Sequence, residues 1–283
     1  MPQNKTIILS DSTSDLGPEI IEKYSIGISP LCIMLNGKSY KDGVEITPTD
    51  IFENYKKNKT LPKTTCANID EHREFIKSYV DQGYEVVYFT ISSDFSGNFQ
   101  NASIAAEEFP NVYVVDSRNL STGIGLQVLR AAKLANEGKS AKEIYDLILP
   151  MREKVDSSFV IDTLEFLRKG GRCSSLAALG ANLLKLKPCI EVVDGKMRVG
   201  KKYRDKMINV MAQYAEDRLS DLESIDPECI FITHSYCDRE IVDKIYSIIN
   251  ELNYFKEIHI TLAGSTITTH CGQGTLGVLF VRK

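Results

Sequence analysis

Short apolar runs alternate with amphipathic stretches along most of this chain. Ile7-Ile8-Leu9, Ile28 to Leu35, Val86-Val87-Tyr88-Phe89 and Val112-Tyr113-Val114-Val115 read as strands. Between them the apolar positions recur at helical spacing. Pro18 to Tyr24 is a predicted helix with proline well placed near its start. Further helices are predicted over Pro48 to Lys57, opened by Thr47, and from Asp70 to Tyr79 or Val80. Another is predicted up to Phe109, one from Gly123 to Glu137 ended by Gly138, and one from Ser140 to Lys154. Asn36-Gly37 signals a turn, and Lys59 to Thr65 is polar and without periodicity.

The second half has a different texture. Phe159 to Ile161 is a predicted strand, Thr163 to Lys169 a short helix stopped by Gly170-Gly171, and Ser174 or Ser175 opens a helix ending before Pro188. Cys189 to Val193, Asp194-Gly195 and Lys196 to Val199 spell a hairpin. Asp205 to Leu219 is a helix; Glu228 to Thr233, Asp238 to Leu252 and Glu257 to Leu262 read strand, helix, strand; Leu276 to Val281 closes the chain. The pattern predicts two α/β domains. The first, 1–157, would carry a three-layer, mainly parallel sheet, and the second, 158–283, a mixed sheet with helices packed on it.

Three strand-like runs lead into hydroxyl- or glycine-rich loops: Ser10 to Asp15, Ser92 to Asn98, and Asp116 to Gly123. Each precedes a helix, and helix starts offer unpaired N–H groups and a dipole that favours negative charge. Several such starts at one edge of a parallel sheet predict a site for a small anion. Ser92-Ser93-x-x-Ser96-Gly97 is the strongest of these signals, because three serines exceed what a helix cap requires. His270, among threonines and glycines, is a candidate contact residue. With a serine such as Ser96, or with Cys66, it would make a nucleophilic pair, so a hydrolase stays open beside an anion carrier.

Composition narrows the choice. The chain has 283 residues, enough for a large core, and a net charge of -4, which argues against a nucleic-acid binder. The charge is uneven: Arg168 to Lys206 carries +8 and the remainder -12. Such a stretch suits a docking surface, a membrane surface or a phosphate site, or is simply solvated. Seven scattered cysteines without C-x-x-C argue against a disulfide framework or zinc ribbon. No P-loop, nucleophile elbow or H-E-x-x-H occurs. Gly272-Gln273-Gly274-Thr275-Leu276-Gly277 matches a dinucleotide fingerprint in letters only, since it leads into a strand. With no apolar stretch long enough to span a bilayer and no secretory leader, the expectation is a cytoplasmic protein.

Seven motifs in order resemble the DegV family of bacterial lipid-binding proteins. They are Asp11-Ser12-Thr13-Ser14-Asp15-Leu16, Pro62-Lys63-Thr64-Thr65, Ile91-Ser92-Ser93-x-x-Ser96-Gly97, Asp116-Ser117, Lys169-Gly170-Gly171-Arg172, Lys185-Leu186-Lys187-Pro188 and His270-Cys271-Gly272-Gln273-Gly274. The resemblance implies a DegV-like fold with a long-chain fatty acid bound between two domains. Its carboxylate would be held by Thr64, Ser96 and His270, with Ser12, Ser93, Gly97 and Asn98 lining or shaping the head-group site. It implies no cofactor, and no catalysis by this chain itself. Some relatives present the acid to a separate fatty acid kinase, in phospholipid metabolism. Arg172 and Arg204 match residues implicated in docking that kinase, and would face it or a membrane surface. The chain departs from the usual Thr-Ser-Gln-Pro at Thr64-Thr65-Cys66-Ala67, and from Ser-Gly-Thr at Ser96-Gly97-Asn98. A different small anion, such as a phosphorylated metabolite or a retinoid-like acid, is the rival ligand.

Overall fold

A computed structural model describes residues 5–174 and 186–283. Strand β1 (Lys5–Asp11) ends in a 3-10 turn, Ser12–Ser14, and helix α1 (Pro18–Tyr24) leads to β2 (Gly27–Ser29), parallel to β1. The apolar run from Ile28 to Leu35 is two strands, not one. Pro30, which has no N–H to donate, separates β2 from β3 (Cys32–Leu35). β3 turns through Asn36-Gly37, both at positive φ, into β4 (Lys38–Lys41). After α2 (Pro48–Asn58), the segment without periodicity supplies β5 (Lys63–Thr65), which pairs antiparallel with β3.

Helix α3 (Ile69–Val80), β6 (Tyr84–Thr90), α4 (Asn98–Ala106) and β7 (Val112–Asp116) follow. They complete a parallel sheet of order β2-β1-β6-β7, closed by α5 (Thr122–Asn136) and α6 (Ala141–Met151). Asp70, the predicted cap of this helix, lies inside α3; the cap is Asn68, two residues earlier, which forms a capping box with Glu71. Both faces of the sheet are covered, which is why Ile7, Ile8 and Leu9 are all buried.

The second sheet comprises β8 (Val155–Val160), β9 (Lys187–Val193), β10 (Lys196–Tyr203), β11 (Ile225–Ser235), β12 (Glu257–Leu262) and β13 (Thr275–Arg282). Its order is β10-β9-β8-β13-β11-β12, with only the β11–β12 pair parallel among the described residues, so the sheet is mixed. Between these strands lie α7 (Glu165–Gly170), α8 (Met207–Arg218), α9 (Arg239–Glu251) and α10 (Ser265–Cys271). The β9–β10 turn uses Asp194 and Gly195, both at positive φ, as the hairpin signal required. Ser157, the predicted domain limit, lies inside β8. The helix expected between Ser174 or Ser175 and Pro188 falls almost wholly on 175–185, and it and Lys185 lie outside the described residues.

One apolar core crosses from the first sheet to the second. Phe89, Phe95 and Ile124 belong to the same buried cluster as Phe159, Ile190 and Leu279. A separate cluster fills the far face of the second sheet, where Ile230, Ile232 and Phe280 meet Met211 and Tyr214 of α8 and Ile245 of α9. The candidate site opens within the shared core. Among the described residues, no helix is long and apolar enough to cross a membrane.

Candidate functional site

A cavity of about 280 Å³ lies in the seam between the two sheets. Its wall is largely apolar, including Leu31, Ile91, Phe95, Phe159, Met197 and Leu279. Thr64, Ser96, Gly97 and His270 line it as well. These four come from distant parts of the chain. Thr64 is the middle residue of β5, opposite Ile33. Ser96 and Gly97 precede α4, and His270 lies in the last turn of α10. His270 is therefore helical.

Thr64 Oγ1 and His270 Nε2 are 2.8 Å apart. The ring is half-buried, and its Nδ1 is sealed from solvent without a hydrogen-bond partner among the described residues. Burial and the nearby Arg172 guanidinium push the imidazole down to about 4, so it is neutral at physiological pH. Gly170 makes the ring position accessible. A Cβ there would stand 2.3 Å from His270 Nδ1, well inside contact distance. Ser96 Oγ accepts from the Asn98 N–H at 3.2 Å, which leaves its own hydrogen free to donate into the cavity.

The sequence of α10, Ser-Thr-Ile-Thr-Thr-His-Cys, is rich in β-branched residues and a poor helix former by itself. Two aspartates from the other end of the chain hold its first turn. Gly264 N donates to Asp15 Oδ1 at 2.8 Å. Ser265 N and Thr266 N donate to the two oxygens of Asp42 at 3.0 and 3.2 Å. Burial, with Asp42 and Asp11 close by, pushes the Asp15 carboxyl up to about 8, against the donors Ser121 and Gly264.

The remaining residues expected at the head group sit elsewhere. Ser12 is not on the cavity wall; its Oγ donates to Asp42 Oδ2 at 2.9 Å and accepts from Leu31 N at 3.1 Å. Ser93 donates from both N and Oγ to Asp116, at 3.1 and 2.6 Å. Asn98 is fully buried, donating to Asp11 Oδ2 and accepting from Ala67 N. The hydroxyl-rich loops are thus largely neutralised by the protein's own carboxylates, Asp11, Asp15 and Asp116. Those acceptors are remote from most of their donors in sequence, so the donors look free when read in order. Arg172 is exposed and also lines the cavity, while Arg204 is exposed just after β10.

The nucleophilic pairing raised by the sequence has a different geometry here. His270 Nε2 meets Thr64, not Ser96 or Cys66, and among the described residues no carboxylate orients Nδ1. Cys66 Sγ instead accepts from Asn101 Nδ2 at 3.5 Å.

The architecture and these motifs have close counterparts. The profile of the DegV family, described as uncharacterised proteins, matches residues 5–283. The chain belongs to the DegV family. A DegV domain-containing protein of Staphylococcus aureus (strain MRSA252) is 33% identical over 284 residues, covering 99% of each chain. A DegV family protein from Thermus thermophilus, described by its fatty acid binding, superposes with a TM-score of 0.91 at 28% identity, over 99% of this chain and 100% of that one. A stearic acid-binding protein from Eubacterium ventriosum superposes with a TM-score of 0.85 at 25% identity, over 98% of each chain.

Sequence reasoning missed Gly170, Asp15 and Asp42 as residues that set the site. A glycine pair after a short helix was visible as a stop signal and as part of a family motif, but not as room for the His270 ring. Nothing local marks Asp42 as the cap of a helix more than two hundred residues away.

Proposed function

We propose that this DegV protein binds one long-chain fatty acid in the seam cavity, with its carboxylate at Thr64, Ser96 and His270. The observation that carries the reading is the 2.8 Å pair of Thr64 and a neutral His270 on the wall of an otherwise apolar cavity. With Nε2–H donating to Thr64 Oγ1, the threonine hydroxyl donates onward to a carboxylate oxygen. Ser96 supplies a second hydroxyl donor. Charge-assisted bonds of this kind satisfy an anion that would be costly to bury unpaired. Each methylene of the tail contributes about 0.8 kcal/mol on burial, so the tail supplies affinity and the polar end supplies orientation. The related proteins described as binding fatty acids support the same ligand class.

We propose further that the chain does not transform the acid itself but presents it to a separate kinase, as the resemblance implies. An imidazole held near 4 is a weak general base at neutral pH, and its position on Thr64 suits holding a carboxylate better than activating Ser96 or Cys66. Arg172 and Arg204 would meet that partner.

Organic extraction of the purified protein, followed by mass spectrometry, tests the ligand class. A long-chain fatty acid near one equivalent is expected, reduced in a Thr64→Val, His270→Ala double variant. Recovery of a phosphorylated metabolite or a retinoid-like acid instead would overturn the assignment.

A further inference from the structure

The cavity has a second polar station that a plain hydrocarbon tail leaves unanswered. Besides Thr64 and Ser96, five buried hydroxyl residues line it: Ser121, Thr233, Ser235, Thr266 and Thr275. Four of them have protein partners. Ser121 donates to Asp15, Thr233 meets Thr122 and Thr261, Ser235 meets Thr268, and Thr275 donates to the Cys271 carbonyl. Thr266 is only 3% exposed, and its Oγ1 has no partner among the described residues.

Thr266 also stands in a defined relation to the head group. It lies four residues before His270 on α10, so the two share one helix face about 6 Å apart along the axis. A ligand whose carboxylate meets His270 and whose chain runs along this face passes Thr266 within its first several carbons. A methylene placed there leaves a buried hydroxyl unpaired, which is unfavourable. A hydroxyl on the ligand at that point both accepts from and donates to its surroundings.

We infer that Thr266 selects an acyl chain bearing a hydroxyl group a short distance from its carboxyl, so that the preferred ligand class is a hydroxylated long-chain fatty acid. This rests on the fatty-acid reading and narrows it. The Thr266 hydroxyl pairs with the ligand hydroxyl, while Thr64, Ser96 and His270 keep the carboxylate.

Competition binding between palmitate and a series of palmitates hydroxylated at successive positions near the carboxyl tests this on the full-length, delipidated protein. The wild-type protein is expected to prefer one isomer over palmitate by roughly three- to tenfold, the range of one net hydrogen bond. Thr266→Ser, which keeps the hydroxyl, should retain that preference, and Thr266→Val should bring the ratio close to one. Equal affinity of wild-type protein for palmitate and every isomer would overturn the inference, as would an unchanged ratio in Thr266→Val. Equal affinities are also what a water satisfying Thr266 would give, and the fatty-acid reading would survive them. Binding of neither palmitate nor any isomer would overturn both. The wild-type ratio decides by itself if the valine variant fails to fold.

Discussion

At the scale of single residues, His270 ties the site's chemistry to the stability of the fold. Its imidazole is held down to about 4, against an ordinary value of 6.5, mainly by burial and secondly by Arg172. The unfolded chain therefore takes up this proton before the folded chain does. The resulting stabilisation is fully present above the ordinary value and is lost as pH falls through the window from 6.5 towards 4. The loss amounts to at most about 3 kcal/mol. Burial lowers His72 and His234 too, so wild-type protein alone cannot isolate the effect. Comparison with His270→Gln does. Denaturant unfolding of the two ligand-free proteins should show the wild-type advantage shrinking by about 3 kcal/mol between neutral pH and the acid end of the window. A difference that stays flat with pH would show that the ring is not held neutral by the fold. Gly170 belongs to the same argument: it has no side chain where His270 Nδ1 needs the space.

At the scale of elements, α10 is where sequence and structure part most clearly. The strand–helix alternation of the first half and the β9–β10 hairpin were legible, because apolar spacing and an Asp-Gly turn are local signals. A helix reading Ser-Thr-Ile-Thr-Thr-His-Cys was not, because its stability comes from Asp15 and Asp42 far away in the chain. The three-residue β5 was missed for a related reason: its order comes from β3, not from its own pattern. Ser96 and His270 stood out locally as candidates, but their grouping with Thr64 at one carboxylate came through the family motifs, and local periodicity would not have paired them. The long-range caps make a direct prediction. Asp42→Ala leaves the buried Ser265 and Thr266 N–H groups and the half-buried Ser12 hydroxyl without their acceptor. The expected cost is about 2 kcal/mol or more in unfolding free energy. Loosening the start of α10 also displaces His270 from Thr64, so fatty-acid affinity should fall with it. If calorimetry found normal ligand affinity in a clearly destabilised Asp42→Ala protein, α10 would be positioned by something other than its caps.

At the scale of the whole molecule, the two sheets share one core, and the cavity is a gap in that core. On the proposed reading a bound tail would fill that gap and be largely enclosed, with Arg172 of the basic stretch at the cavity wall. Arg172 and Arg204 differ in this respect. Arg172 lines the cavity and lowers the His270 proton affinity, so a change there reaches the proposed head-group site directly. Arg204 is exposed and outside the cavity wall. Charge reversal should therefore separate the two roles. Arg204→Glu is expected to slow phosphorylation of the bound acid by a partner kinase by roughly tenfold or more, through like-charge or lost-charge effects at the contact. Its fatty-acid affinity should match wild type. Arg172→Glu is expected to change both, because a carboxylate beside the head group repels the ligand's own and favours protonation of His270. Kinase kinetics paired with ligand titration on the two variants decide the matter. Arg204→Glu with undiminished phosphorylation would remove this arginine from the partner surface. A drop in its lipid affinity equal to the drop in phosphorylation would mean that the presenting surface and the binding cavity are one and the same site.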